Sequence, residues 1–327
     1  MRYSNTRECV EPFLRMTFLA MVGLTCLAVG AHSARGAEFT IGVTIWDVSS
    51  TPAAVPIVQG MKDAAEKDGV KILLSDPKWD ASTQVDNIRD FVTRHVDAIA
   101  VFPIDIVGVI PAVQEAQKAG VPVVAALGGV EGLPYVGVDD VEYGRVHARL
   151  MLEALKDVKG KKRIGLFRGT AGGSPDRLRM QGMQEVFKAS GQDIEIESVT
   201  ADWIPEKALT GFQDLLERYP NKGDLALVSS MGNCMVPPSI DWAKKNGREE
   251  IIFTTMDLCK ADEEAVKNGT LYGVAFQDVY QMGRLVVDTL DAMHKSGDYH
   301  TLPEFARNPP IVVCEKDTFD KCKGRGF

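Results

Sequence analysis

The chain has 327 residues, with 45 Asp and Glu against 37 Lys and Arg and a formal net charge of -8. That balance argues against nucleic acid and anionic lipid surfaces as partners. The length admits one large domain or two lobes.

Residues 1–37 read as a secretory signal peptide. Arg2, Arg7 and Arg15 lead an apolar run over 13–29, and Ala34-Arg35-Gly36 puts small residues at both specificity positions of a cleavage site ending near Gly36-Ala37. The run after Arg15 falls short of the ~20 apolar residues a spanning helix needs. Cys26 raises a lipoprotein anchor as the alternative, although Thr25 before it suits a lipobox poorly. The expectation is therefore a soluble protein of 290 residues working outside the cytoplasm, whose net charge is -10 once four Arg and two Glu leave with the signal.

From there strand and helix patterns alternate. Apolar runs at 39–45, 70–74, 97–102 and 121–127 predict strands, and helical spacing over 56–68, 81–94 and 107–119 predicts the helices between them. The pattern repeats with strands at 163–167, 194–199, 225–229, 251–255 and 271–276. Helices are expected at 142–155, 175–189, 205–219, 238–246 and 261–268, then a long one at 279–295 and a tail strand at 311–314. Continuous apolar strands alternating with amphipathic helices mean parallel sheets covered on both faces. Two such sets of similar size predict an α/β protein of two doubly wound lobes. No linker rich in Gly, Ser or Pro separates them. The irregular stretch 296–310, with Pro303, Pro309 and Pro310, is a candidate return crossing.

Ligands of such sheets sit at the carboxyl ends of the strands. The segments there are 46–50, 102–105, 127–129, 168–174, 229–234, 256–258 and 277–278. They combine polar and aromatic residues, which suits a small hydrogen-bonding ligand with one apolar face. Trp46, Asp47, Phe102 and Asn233 are candidates from this placement; Trp79 and Trp242 lack it and read as packing residues. The Gly-rich run 169–174 lacks the Lys-Ser/Thr of a phosphate loop and reads as a tight turn. No histidine pairs with a nucleophile, and no Gly-x-Ser-x-Gly elbow occurs. Neither cofactor nor metal is expected. The four cysteines beyond the signal allow three pairings in an oxidising compartment, and no Cys-x-x-Cys suggests zinc. Cys234 with Cys259, each after a strand end, and Cys314 with Cys322, close in sequence, is the preferred pairing.

The order and spacing of several short motifs resemble the ribose-type periplasmic sugar-binding proteins of ABC importers, the type I periplasmic binding protein family. They are Thr51-Pro52, Gln59-Gly60-Met61, the Ala-Gly-Val-Pro-Val-Val run at 119–124, and Val136-Gly137-Val138-Asp139-Asp140 with Gly144 behind it. Gly172-Gly173-Ser174 follows with Arg177, Arg179 and Gly182, then Ala201-Asp202-Trp203, Met256-Asp257 and Ala275-Phe276-Gln277. The resemblance covers nearly all of 38–316. It implies two lobes joined by a three-segment hinge: 38–138 plus 278–309, and 139–277 plus 310–327. It implies a monomer that captures a sugar or polyol in the cleft and docks on a membrane permease, without covalent chemistry. Arg179 matches an arginine donating to ligand hydroxyls, Asp257 an acceptor carboxylate, Gln277 a polar contact near the hinge, and Trp203 a stacking aromatic. The family's two aromatics after the first strand are Ala53 and Ala54 here, its Asp-Arg pair after the fourth strand is Leu127-Gly128, and its two asparagines are Phe102 and Met231. The ribose site itself is thus not kept, and Trp46 and Asp47 are placed to replace the missing ring cover and acceptor. A receptor signalling to a kinase or chemoreceptor is the alternative function. A secreted sugar-modifying enzyme would need a catalytic pair such as Asp47 with Asp257, and a related repressor is opposed by the signal peptide.

Overall fold

The computed structural model describes residues 39–171, 173–232, 234–307 and 309–327. The predicted signal peptide, with Cys26, and the candidate Asn233 lie outside the described residues. Strands β1 (Thr40–Thr44), β2 (Lys71–Ser75), β3 (Ala98–Val101), β4 (Val123–Ala126) and β5 (Tyr135–Val136) form an all-parallel sheet in the order β2-β1-β3-β4-β5. Helices α1 (Ala54–Asp68), α2 (Ala81–Thr93) and α3 (Ile110–Lys118) connect its first four strands. β5 has two residues, too few to show a period, and sequence reading passes over it.

α4 (Asp140–Ala154) leads to a second sheet of β6 (Lys162–Arg168), β7 (Ile194–Thr200), β8 (Leu227–Ser230), β9 (Ile252–Met256), β10 (Gly273–Phe276) and β11 (Val312–Glu315). Its order is β11-β10-β9-β8-β6-β7, parallel except for β11 against β10. Helices α5 (Ser174–Ser190), α6 (Pro205–Arg218), α7 (Pro237–Lys245), α8 (Lys260–Asn268) and α9 (Val279–Ser296) complete the chain's helical layers. Among the described residues no helix is long and apolar enough to cross a membrane.

The inner strands of both sheets are buried on both faces, and alternation along a strand shows it. On β3, Ala98 and Ala100 join Ile57 and Met61 of α1 and Val286 and Leu290 of α9, whereas Ile99 and Val101 join Ile88 and Phe91 of α2 and Val113 of α3. On β8, Leu227 packs with Leu150 and Met183, and Val228 with Phe212 and Ile240. Each Val, Leu, Ile, Met or Phe among them contributes about 1.5–3 kcal/mol by leaving water. This double covering is why the strands read as unbroken apolar runs.

The chain passes between the sheets at 137–139, at 277–278 and over 297–311. The first two passages end in helix caps: Asp139 accepts from the N–H groups of Val141 and Glu142, and Asp278 from that of Gln281. α4 then packs on α5, and α9 on α1. Each pair approaches so closely that a Cβ on Gly144 or Gly182, or on Gly60 or Gly283, would strike the partner helix's backbone. The two lobes thus repeat one plan: a crossing, a capped helix, and a glycine-to-glycine seam with the helix that follows the first strand of the sheet.

Candidate ligand-binding cleft

In each sheet the chain goes from its first strand to one neighbour and returns to the other, so the strand order reverses beside β1 and beside β6. Such reversals open a crevice at the strands' carboxyl ends.

In the second lobe that crevice is lined by charge. Arg179, on the second turn of α5, is buried; its Nε donates to Asp140 Oδ1 at 2.8 Å and its Nη1 to the Met231 carbonyl at 2.7 Å. Asp257 Oδ2 lies 3.9 Å from Nη1, and the guanidinium sits 4.7 Å over the Tyr143 ring and 5.8 Å from the Trp203 ring. The Tyr143 hydroxyl accepts from the Asp257 N–H at 3.0 Å and lies 3.0 Å from Asp257 Oδ1. Burial opposes charge on Arg179, but Asp140 and Asp257 outweigh it and raise its pKa further. Burial raises the pKa of Asp257, with Arg179, Tyr143 and Gln277 pulling the other way. The Gln277 Oε1 is buried without a hydrogen-bond partner. A buried acceptor of that kind costs stability until a donor arrives, and a ligand hydroxyl is such a donor. Trp203 lies over Gly169 at the end of β6, where a Cβ would meet its indole. Asp257, Asp202 and Trp203 all hold positive φ, of 56°, 52° and 63°; such strain in non-glycine residues gathers at ligand sites.

The first lobe presents aromatic surface. Trp46 stacks on Trp79 with centroids 6.0 Å apart and planes within 6°, and meets Phe102 edge-on at 5.7 Å. Its Nε1 donates to the Pro103 carbonyl at 3.4 Å, and that of Trp79 to Thr51 Oγ1 at 3.1 Å.

The structure thus brings Arg179, Trp203, Asp257 and Gln277 to one lobe's crevice, and Trp46 to the other's. Two candidates differ from expectation. Phe102 is fully buried, because its strand-end position falls on the core face, and its ring supports Trp46 from within. Asp47 Oδ1 is taken up by the N–H groups of Ser49 and Ser50, the Ser49 hydroxyl and Lys78 Nζ. Those hydrogen bonds, Ser49's first, hold its carboxyl below the usual range despite burial; it shapes the loop rather than offering that oxygen to a ligand. Trp242 packs in the core edge-on to Phe212, as read from sequence. Trp79 does not pack away: it is 48 % exposed. Sequence reasoning also missed Asp140 and Tyr143 as partners of the site. Their three-residue spacing at the start of α4 sets both on one face toward α5, a signal available in the sequence. Disulfides join Cys234 to Cys259 and Cys314 to Cys322. The first ties the loop after β8 to the loop after β9, two residues beyond Asp257, and its sulfurs with Asp262 form a group of potential metal donors among the described residues. Both thiols are consumed in the bond, which leaves no thiolate for a metal.

Two α/β lobes, three crossings and a crevice lined by a buried Arg–Asp network on one side and indoles on the other make the architecture of a solute-binding protein. The chain belongs to the periplasmic binding protein domain family, whose model matches residues 41–298. It is 28% identical over 266 residues to the ribose import binding protein of Bacillus subtilis, covering 80% of this chain and 83% of that one. It is 26% identical over 303 residues to the xylitol-binding protein of Mycolicibacterium smegmatis, covering 91% and 83%. Among solved structures it resembles an ABC transporter solute-binding protein from Mycobacterium smegmatis with bound glycerol, at a TM-score of 0.77 and 25% identity over 88% of this chain and 97% of that one.

Proposed function

We propose that this protein is a periplasmic receptor that captures a sugar or polyol between its lobes and delivers it to the permease of an ABC importer. The observation that carries the reading is the half-satisfied network of Arg179, Asp257 and Gln277 at the crevice of the second lobe, with a buried acceptor awaiting a donor. Arg179 supplies donors, Asp257 and Gln277 accept hydroxyls, Trp203 covers one apolar face of the ligand, and the indoles of the first lobe stand opposite it. The relatives named for ribose and xylitol support a polyhydroxylated ligand. The lobes are 38–138 plus 278–309 and 139–277 plus 310–327. The short crossings at 137–139 and 277–278 let them rotate as units, and a ligand that touches both lobes only in the closed form shifts the population toward it. The closed pair of lobes is then the form the permease accepts. An acidic monomer exported by residues 1–37 suits that cycle.

The test is thermal unfolding of the purified protein against sugars, cyclitols and alditols. A ligand at 1,000 times its Kd adds about 4 kcal/mol of stability. A single compound giving such a shift, lost in Asp257→Asn, supports the reading; a full panel without a shift refutes it.

A further inference from the structure

The two lobes repeat each other at one place that no motif marks. After β2 the chain runs through Lys78 and Trp79, both at positive φ (55° and 61°), to Asp80, the residue that caps α2. After β7 it runs through Asp202 and Trp203, at φ 52° and 63°, to Ile204, which stands at the same position before α6. Two consecutive left-handed non-glycine residues, the second a tryptophan, thus precede the cap in both lobes. A bulky residue in that region is an outlier that the surrounding structure must hold in place.

The positions match in space as well. β2 and β7 are the edge strands of their sheets, and both lie at the edge opposite β5, β10 and β11, from which the chain crosses between lobes. Trp203 leans from β7 over Gly169 at the end of β6. Trp79 leans from β2 onto Trp46 at the end of β1, and its backbone N–H donates to the Trp46 carbonyl at 3.2 Å. Its indole N–H is committed to Thr51, so the ring is fixed and presents its π face rather than its polar edge. One face rests on Trp46, and the residue as a whole remains 48 % exposed. Ala53, which precedes α1, and Ala54, its first residue, offer no competing ring.

We propose that Trp79, backed by Trp46, is the ligand-stacking surface of the first lobe and the counterpart of Trp203. Resting on the receptor reading above, the pair selects a ligand with two flat apolar faces, a sugar or cyclitol ring, over an open-chain polyol. A ring offers C–H surface to an indole on each side, whereas an open chain must be ordered to do so and loses rotamer entropy in the process.

The experiment uses protein purified from expression of the full chain, with D-ribose, D-allose and myo-inositol as ring probes and glycerol and xylitol as chain probes. Calorimetry of wild type, Trp79→Ala, Trp79→Leu, Trp79→Phe and Asp257→Asn gives the comparison. A ring probe is expected to bind at least tenfold tighter than either chain probe. Trp79→Ala and Trp79→Leu should weaken it about tenfold and Trp79→Phe by less than about threefold, and the loss in chain-probe binding should be the smaller one in each variant. Leu keeps bulk without a π face, so its result stands even where Ala disturbs the loop. A ring-probe Kd unchanged in the Trp79 variants but raised by Asp257→Asn overturns this inference alone, as does preference for a chain probe. Absence of binding by wild type to all five probes overturns it together with the proposed function.

Discussion

Asp257→Asn isolates the acceptor in the cleft with little disturbance elsewhere. Asp257 stands at φ 56°, a region in which Asn is among the most tolerated side chains, so the backbone need not move. In the unliganded protein, buried Arg179 faces two carboxylates, Asp140 at 2.8 Å and Asp257 at 3.9 Å. Removing the more distant one leaves a matched pair and relieves a carboxylate whose pKa burial has raised. Stability without ligand should therefore change by no more than about 1 kcal/mol, unlike the 3–5 kcal/mol that follows when a buried charge loses its only partner. Binding should change much more. Hydrogen bonds to a charged acceptor are each worth about 1.5–3 kcal/mol, and the amide replaces one of two acceptor oxygens with a donor. A loss of about 2–3 kcal/mol corresponds to roughly a 30- to 150-fold rise in Kd. Calorimetry at pH 7 with the best ligand reads it, and melting of the free protein reads the control. The pH profile adds a sign. Wild-type affinity needs the carboxylate ionised, so it falls as pH drops through the raised pKa of Asp257, while the Asn variant stays flat. An Asn variant within threefold of wild type would refute the assignment of Asp257 to the ligand.

Three further outcomes concern the scaffold. Asp262 is buried in the first turn of α8 with Oδ1 unpartnered, and burial raises its pKa to about 7 from 3.8. The folded state therefore keeps a proton that the unfolded chain releases between these values, so stability falls by about 4 kcal/mol as pH rises from 4 toward 7 and beyond; Asp262→Asn should lack that slope and melt higher than wild type at pH 8. Replacing Cys234 and Cys259 by Ser opens a link between residues 25 apart, which should cost about 3 kcal/mol and weaken ligand binding by loosening the loops beside Asp257. Differential scanning with and without reductant, repeated with ligand, reads both effects. Gly144→Ala places a methyl against the α5 backbone and should destabilise by about 2 kcal/mol, lowering Tm by several degrees.

The fold is legible in the sequence because its two sheets are covered on both faces: β3 and β4 are wholly apolar runs, and the glycines at the ends of α1, α5 and α9 mark where helices stop. The second lobe's half of the candidate site is legible through short motifs whose residues lie close to a strand end, as Asp257 does directly after β9. The first lobe's half is not. Phe102 and Trp46 both follow strands, and only the register of each strand decides that one ring enters the core while the other borders the crevice. Asp47 has the chemistry of an acceptor, but Ser49, Ser50 and Lys78 take up one oxygen, which depends on loop geometry no spacing rule encodes.

Trp79 shows the deeper reason. In sequence, Lys78-Trp79-Asp80 and Asp202-Trp203-Ile204 share one letter, and the chemistry around that letter differs completely: an acidic cap follows the first and an aliphatic one the second. The equivalence lies in backbone conformation, two left-handed residues before a helix on an edge strand, and conformation of that kind costs energy in either lobe. In the second lobe the cost is offset where Trp203 settles over a residue with no side chain, Gly169. In the first it is offset by the stack on Trp46 and the bond to Thr51, contacts made across about 30 residues of intervening chain. Long-range packing of this sort leaves no periodic trace. A tryptophan at the edge strand is therefore read as packing from its letter and as binding surface from its geometry, and the difference between those readings is what a single substitution at Trp79 measures.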